Sequence, residues 1–427
     1  MLDLKYIRQN IEAVKKAVRD KNESADIDAI LELDIKRRKL LADAEALKQE
    51  RNTNSKKIAE LKKAGEDASE LMARMKEVSS KISDMDSQLR DIEQALHDLL
   101  LTVPNIPDPD VPVGTQEEDN IVVREWGDKP QFDFKPRTHW ELGEINGILD
   151  LPRGAAVAGS GFPVLRGAGA RLQRALVNFM LDMHISKHGY LELSVPFLVT
   201  RETMIGTGQL PKLEFDMYRT TDDMFLIPTG EVPVTNLHKK EIIPGKELPL
   251  NYVAYTPCFR REAGSYGKDT RGIIRIHQFD KVELVKICEP EQSYDRLEEL
   301  LKEAEAVVQA LELPYRVSIL CTGDMSFASA KTYDIEIYSA GMDKYLEASS
   351  CSNFEDFQAR RSDMRFKRTP ESKPEFPHTL NGSGLALPRT VIAIIENYQM
   401  RDGRIKIPAA LRDYVDGMEF IQANYED

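Results

Sequence analysis

Between residues 27 and 101, apolar side chains recur every seven positions, and no other feature of the sequence restricts the fold as much. Leu33, Leu40, Leu47, Asn54 and Leu61 form one register, interleaved with Ile30, Arg37, Ala44, Arg51 and Ile58. A helix gathers such positions into one stripe, and the stripe is buried only along a seam with a second helix. After Ala64-Gly65-Glu66-Asp67 the pattern resumes at Leu71, Met75, Val78, Ile82, Met85, Leu89, Ile92, Leu96 and Leu99, in strict alternating steps of four and three. Gly65 stands where a helix must stop and reverse. The spacing predicts two helices of about 35 residues, each rising roughly 50 Å, in an antiparallel hairpin that projects from the rest of the chain.

Charge is uneven along this hairpin. Lys48, Arg51, Lys56, Lys57, Lys62 and Lys63 fall within a stretch that holds only Glu50 and Glu60 as acids, and the seam itself turns polar at Arg51 and Asn54. A charged run on a helix usually marks a solvated end. A two-helix hairpin buries one seam only, however, so its reach explains its presence better than its stability does. The whole chain carries a formal charge of -13, which argues against non-specific coating of nucleic acid while permitting a local basic patch.

Pro104, Pro107, Pro109 and Pro112 interrupt any helix and mark a linker. The expected division is an arm over 1–103, a linker over 104–118 and a second domain over 119–427. In that domain, helical runs from Arg171 to His188 and Gln292 to Leu311 mix with strand-like segments such as Tyr315 to Leu320. Strands in runs, without βαβ alternation, favour an antiparallel α+β sheet flanked by helices. Gly159-Ser160-Gly161-Phe162 lacks the third glycine and the strand-to-helix setting of a dinucleotide site, and there is no GxxxxGK[ST] loop. Cys258, Cys288, Cys321 and Cys351 have no zinc-type spacing and read as reduced thiols. The first residues lack the pattern of a signal peptide and no run of 18 apolar residues occurs, so the expectation is a cytoplasmic enzyme with no membrane partner.

Two segments of this domain look chemical. Phe259-Arg260-Arg261-Glu262-Ala263-Gly264 and Arg275-Ile276-His277-Gln278-Phe279-Asp280-Lys281-Val282-Glu283 read as two strands joined by a charged, glycine-containing loop that includes Arg271-Gly272. Period-2 alternation puts Arg260 and Glu262 on one face of the first strand. It puts Arg275, His277, Phe279, Lys281 and Glu283 on one face of the second, with Ile274, Ile276, Val282 and Leu284 opposite. Taken alone, this also fits the solvated side of a half-buried hairpin. The face nevertheless suits a ligand with phosphates, a flat base and an ammonium group. Near the C-terminus, Asn381-Gly382-Ser383-Gly384-Leu385-Ala386-Leu387-Pro388-Arg389 runs into an apolar helix, with glycines that permit close backbone approach and an arginine at the helix mouth.

These segments resemble motifs 2 and 3 of the class II aminoacyl-tRNA synthetases. The run from Arg171 to His188 with Gly189-Tyr190-Leu191-Glu192-Leu193-Ser194-Val195-Pro196 resembles motif 1, whose proline lies at the family's dimer interface. Thr207-Gly208-Gln209-Leu210-Pro211-Lys212, Ile227-Pro228-Thr229-Gly230-Glu231-Val232-Pro233, Ala330-Lys331-Thr332-Tyr333-Asp334 and Glu347-Ala348-Ser349-Ser350-Cys351-Ser352-Asn353 are similar to segments of bacterial seryl-tRNA synthetases. The likeness spans essentially the whole chain. Gly230 departs from the alanine usual in the family.

The resemblance implies a fold, a reaction and a site. The fold would be a long antiparallel coiled-coil hairpin followed by a class II catalytic domain on an antiparallel sheet. The reaction would join serine to ATP as seryl-adenylate, then to tRNA(Ser), with tRNA(Sec) as a further acceptor, in a homodimer using Mg²⁺. Arg260 would bridge the α-phosphate and the serine carboxylate, Glu262 would accept from the adenine amino group, and Phe279 and Arg389 would sandwich the adenine. Arg261, Arg271, Arg275, Ala348 and Ser349 complete the implied ATP site, with Glu347 and Ser350 as magnesium positions. Thr229, Gly230, Glu231, Glu283, Thr379 and Ser383 with Arg260 would hold serine, Glu231 taking the ammonium and Glu283 the hydroxyl. A site built to bond a hydroxyl rejects alanine by a factor of about 10⁴ or more. The basic residues of the hairpin would contact tRNA. Two other readings stay open at this point: a related ligase that loads an amino acid onto a carrier protein, and a coiled-coil scaffold with an inactive nucleotide fold.

Overall fold

The structure is a computed structural model that describes residues 1–263 and 271–422; Gly264, part of the first segment singled out above, lies outside the described residues. The chain divides into two compact units, one formed by residues 2–19 and 23–104, the other by Met1, residues 20–22 and the chain from Asn105 onward.

The first unit is all helix. Two short helices, Leu4–Gln9 and Ile11–Asp20, precede two long ones, Ile27–Ala64 and Ser69–Leu100. The Asp26 carboxylate accepts the Ala29 N–H and starts the first long helix. Gly65, with φ +74°, ends it: its N–H and that of Glu66 return to the carbonyls of Lys62 and Leu61, a termination that needs the left-handed region. Each seam position from Ile30 to Leu61 and from Leu71 to Leu99 is buried or half-buried. The heptad pattern gave no sign of Asp34, whose carboxylate is buried and paired with Arg8 and Arg38, each at 3.0 Å. Arg8 comes from the first short helix, so no local repeat signals the contact.

The second unit is built on an eight-stranded sheet. Its strands are β1 (Ile121–Trp126), β2 (Leu191–Glu192), β3 (Leu250–Phe259), β4 (Gln278–Cys288), β5 (Tyr315–Ile319), β6 (Lys331–Ser339), β7 (Lys344–Asn353) and β8 (His378–Ala386). They lie in the order β1-β5-β6-β7-β8-β4-β3-β2, antiparallel throughout except for β2 beside β3. Helices Ala168–His188, Ser293–Ala310 and Leu387–Asn397 cover one face, where Leu176, Leu300 and Ile392 pack on Val282, Leu284 and Leu380. Alternation then sends Phe279, Lys281 and Glu283 of β4 to the opposite face, where Ser383 of β8 lies directly across from Glu283. The helix Leu387–Asn397 follows β8 without a loop and so fixes Arg389 in its first turn, at the edge of that face.

The expected hairpin is shorter than its alternation suggested. The β3–β4 ladder ends at Phe259 and Gln278. Arg260 still donates its N–H to the His277 carbonyl (2.9 Å), but Glu262 takes φ +51° and turns the chain away. His277 donates its N–H to Gly161 (2.9 Å) and packs its ring on Phe162, while Ile274 and Ile276 line the cleft they were expected to face away from. Period-2 reasoning holds only as far as the ladder that enforces it.

A buried clamp holds the segment leading into β4. The Ile273 N–H donates to His139 Nε2 (3.2 Å), so His139 carries its proton on Nδ1 and donates it to Glu396 Oε1 (2.8 Å). Glu396 also accepts from the backbone of His139 (2.7 Å) and of Gly341 (2.9 Å), and from the Ser339 hydroxyl. Replacing Glu396 by alanine strands several buried donors. We expect Glu396→Ala to cost about 3 kcal/mol or more, seen as a fall of several degrees in the Tm by calorimetry, with Glu396→Gln milder.

Candidate active site

The polar face of β4, β7 and β8 forms the floor of a cleft of about 500 Å³, within the range of pockets that enclose a cofactor-sized ligand. Its walls include Pro228–Thr229, the segment Ser326–Ala328 and Pro388–Arg389.

At one end three guanidinium groups converge. Arg260 lies 5.2 Å from the centre of the Phe279 ring and donates from Nε to the Pro228 carbonyl (3.3 Å). Arg275 faces Glu262 at 3.4 Å. Arg389 donates from Nη1 to the Glu347 carbonyl (2.6 Å) and pairs with the Glu347 carboxylate at 3.0 Å. Arg389 chiefly, then Arg260 and Arg275, hold the Glu347 carboxyl below the usual range. This end is cationic, has one flat aromatic surface, and suits a polyanion joined to a ring.

The other end is smaller and more deeply buried. Glu283 is 1% exposed and Glu231 7% exposed, so both carboxyls lie far from water. The Thr229 hydroxyl donates to Glu283 Oε2 (2.9 Å) and accepts from Lys281 Nζ (2.8 Å) and the Glu231 N–H (3.2 Å). Lys281 also pairs with Glu283 Oε2. Gln358 donates to Glu231 Oε1 (2.6 Å) and accepts from the Thr379 hydroxyl (2.6 Å). Burial, reinforced by Glu283, pushes the Glu231 carboxyl up to about 7. A cationic group entering here would draw Glu231 to its charged form.

Between the two ends, Ser350 donates to Asp334 Oδ1 (2.6 Å), and burial together with Glu347 pushes Asp334 well above the usual carboxylate range. Among the described residues no group of three or more His, Cys, Asp or Glu side chains is placed to hold a metal. Glu347 and Ser350 both line the cleft and offer oxygen donors. That set fits a hard cation that takes its remaining ligands from phosphates and water.

The structure thus brings Thr229, Glu231, Arg260, Glu262, Arg275, Phe279, Glu283, Glu347, Ala348, Ser350, Ser383 and Arg389 to one cleft. Arg261 and Arg271 are exposed outside its lining, the latter over the Trp140 ring at 4.7 Å. Ser349 lies beneath the floor, donating to the Ser383 carbonyl (2.7 Å), and Thr379 reaches Glu231 only through Gln358. Gly230 sits behind Glu283, where a Cβ would meet Glu283 Cβ at 3.0 Å and Thr256 Oγ1 at 3.2 Å. Sequence reasoning placed Lys281 on this face and Asn381 in the C-terminal segment without giving either a role, and missed Gln358. Gln358 comes from the short helix Phe357–Ser362, which carries no motif. On the long helices, Lys56, Lys57, Lys62 and Lys63 are exposed, Lys48 pairs with Asp86 at 2.8 Å, and Arg51 is half-buried in the seam.

The Gln358 bond lowers the Glu231 titration that burial raises. By ¹³C NMR of the labelled carboxyl, Glu231 should titrate near 7, and Gln358→Leu should move the midpoint upward; a midpoint in the ordinary glutamate range would contradict the assignment.

Comparison with known proteins places these features in context. Residues 1–107 match the family described as seryl-tRNA synthetase N-terminal domain, and residues 212–398 match the class II core domain of the G, H, P, S and T tRNA synthetases. Serine–tRNA ligase of Geobacter sp. (strain M21) is 56% identical over 99% of this chain and 100% of its own length. That of Caldicellulosiruptor saccharolyticus is 58% identical over 97% and 99%. The crystal structure of seryl-tRNA synthetase from Pyrococcus horikoshii complexed with ATP superposes with a TM-score of 0.94 at 38% identity, covering 100% of both chains. Cytoplasmic serine–tRNA ligase from Naegleria fowleri in complex with AMP gives 0.88 at 31% identity, covering 100% of this chain and 99% of that one.

Proposed function

The chain belongs to the seryl-tRNA synthetase family, and from that premise we propose how its cleft performs the reaction. It is an ATP-binding serine–tRNA ligase with a class II catalytic domain and a paired-helix N-terminal domain. The observation that carries the site reading is the convergence, in one cleft, of an arginine-and-aromatic end with a buried two-carboxylate end.

In the first step a serine carboxylate oxygen attacks the α-phosphorus of ATP, the bond to the β-phosphate bridge oxygen breaks, and diphosphate leaves. The nucleophile is already an anion, so the chain's task is positioning and charge stabilisation. Arg260 would hold the serine carboxylate and the α-phosphate together. The adenine would stack on Phe279 with Arg389 opposite, its amino group donating to Glu262. Arg275 and Arg389 would take the phosphates, Arg389 giving up Glu347 to do so, with Arg261 and Arg271 approaching from outside the cleft. Ala348 and Ser349 would support the ATP site from the floor. Glu347 and Ser350 would hold Mg²⁺, which neutralises phosphate charge when bound. Glu231 would take the serine ammonium and Glu283 the hydroxyl, framed by Thr229, Gly230, Thr379 and Ser383. In the second step the terminal ribose hydroxyl of tRNA attacks the seryl carbonyl carbon and AMP leaves.

The same reading assigns residues 1–103 to tRNA binding, 104–118 to a linker and 119–427 to catalysis. It makes tRNA(Ser) the substrate and tRNA(Sec) a second one, and a cytoplasmic homodimer the working form. Leu191 and Phe197, exposed on either side of Pro196, support a subunit contact there. Among the described residues no helix is long and apolar enough to cross a membrane.

Diphosphate exchange run with each amino acid should respond to serine far above all others. In Arg260→Ala the exchange kcat should fall by about 10² or more; near-normal exchange would remove Arg260 from the reacting centre.

The basic residues Lys48, Arg51, Lys56, Lys57, Lys62 and Lys63 can act only through tRNA phosphates, so their effect should fade steeply with salt. Replacing residues 30–98 by a short flexible loop should leave serine-dependent exchange largely intact and abolish most tRNA serylation. Persistent charging at low enzyme concentration would make the hairpin merely structural.

A further inference from the structure

Lys281 is the buried cation of the serine end, 7% exposed on the floor of the cleft, between Phe279 and Glu283 on β4. Its ammonium has two partners there, the Thr229 hydroxyl at 2.8 Å and the Glu283 carboxylate. Thr229 in turn donates its proton to Glu283. The three side chains close a ring in which each hydrogen has one direction. The ammonium can only donate, so Thr229 Oγ1 must accept from it and spend its own proton on Glu283. Both bonds to Glu283 fall on Oε2, and Oε1 bonds to no described residue. The ring therefore leaves one carboxylate oxygen, acceptor only, for a ligand.

We propose that Lys281 is a specificity-positioning residue: it fixes Glu283 as a one-oxygen acceptor, so that an amino acid is selected by whether its side chain can donate a hydrogen bond. This rests on the reading of Glu283 as the group that meets the serine hydroxyl. A donor such as the serine hydroxyl completes the arrangement, whereas alanine leaves a buried charged oxygen unpaired. Lys281 also balances charge. Glu231 and Glu283 would otherwise place two carboxylates in one small buried space, and Lys281 lets Glu231 remain available for the ammonium common to all amino acids.

The other titratable or charged groups facing Glu283 are few. Glu231 lies on the helix Glu231–Thr235, Cys258 on β3 and Cys351 on β7. Burial pushes both thiols up, Cys351 to about 12, so neither supplies a charge near neutrality. Deprived of Lys281, Glu283 keeps only the Thr229 hydroxyl on Oε2, and its carboxylate is no longer held so that one oxygen alone faces the ligand. Selectivity for a side chain that donates would then fall.

The test is diphosphate exchange with serine and with alanine at one pH. Glu231 acts on both amino acids alike, so effects on it cancel in the serine/alanine ratio of kcat/KM. In Lys281→Met and Lys281→Gln that ratio should fall tenfold or more, while Lys281→Arg should restore most of it. Glu283→Ala should lose the ratio. ATP binding by calorimetry shows which variants are folded, and Lys281→Gln, which keeps a donor for Thr229, serves if Lys281→Met does not fold. If Glu283→Ala loses the ratio while both neutral Lys281 variants keep it unchanged, the Lys281 inference is overturned alone. Equal losses for serine and alanine would also overturn it, because they would place Lys281 on the shared carboxylate. If Glu283→Ala keeps the ratio, the reading of Glu283 itself fails and takes the inference with it.

Discussion

The two-sidedness of β4, β7 and β8 is the constraint on which the site depends. In an extended strand successive side chains must point to opposite faces, so one ladder can hold apolar residues under three helices and polar residues in a cleft at the same positions. Val282 and Leu284 are fully buried among those helices, while Lys281 and Glu283 alternate with them on the other side. The register then places Ser383 across from Glu283. Sliding β4 by one residue would exchange the two faces, putting a lysine and a glutamate under the helices and valine and leucine in the cleft. The hydrophobic core therefore positions the polar side chains of the cleft, without any contribution from the ligand.

Charge in this cleft is stored as pairs. Arg389 rests on Glu347, Arg275 on Glu262, and Lys281 on Glu283. Leaving such groups unpaired in a buried space would cost several kcal/mol each. Pairing them removes that cost while the cleft is empty, and a triphosphate would replace the partner of Arg389 or Arg275. The two kinds of pair differ in exposure. Glu347 is 49% exposed at its side chain, so Arg389 can leave it without stranding a buried charge, whereas Glu283 is 2% exposed and cannot lose Lys281 on the same terms. The first pair is suited to opening during turnover, and the second to remaining closed.

What could be read from the sequence followed from how local the signal was. The heptads fixed the long helices to within a few residues, because Gly65 and the seam act within one turn of each other. The α+β sheet was legible from strands arriving in runs, and Phe279, Glu283, Ser383 and Arg389 from alternation and glycine spacing beside the resemblance. His277 was misplaced because its backbone is held by Gly161, more than a hundred residues earlier, and local alternation cannot sense that bond. The Arg8–Asp34 pair, Gln358 and the His139–Glu396 clamp were invisible for the same reason: each joins elements distant in sequence.

The Gly230 departure shows how the local and the distant combine at one atom. A side chain there would press on Glu283 Cβ and on Thr256 of the neighbouring strand, at 3.0 and 3.2 Å. Contacts that tight force the neighbours to give by a few tenths of an ångström, and interiors this dense transmit such shifts. Glu283 is also tied through Oε2 to Lys281 and Thr229, so a push at its Cβ would be felt as a tilt of the carboxylate about those bonds. The absence of a methyl group at residue 230 lets the ring of three side chains settle where its hydrogen bonds are best. The position of the Glu283 carboxylate thus depends on the space behind its Cβ as well as on the bonds at its Oε2.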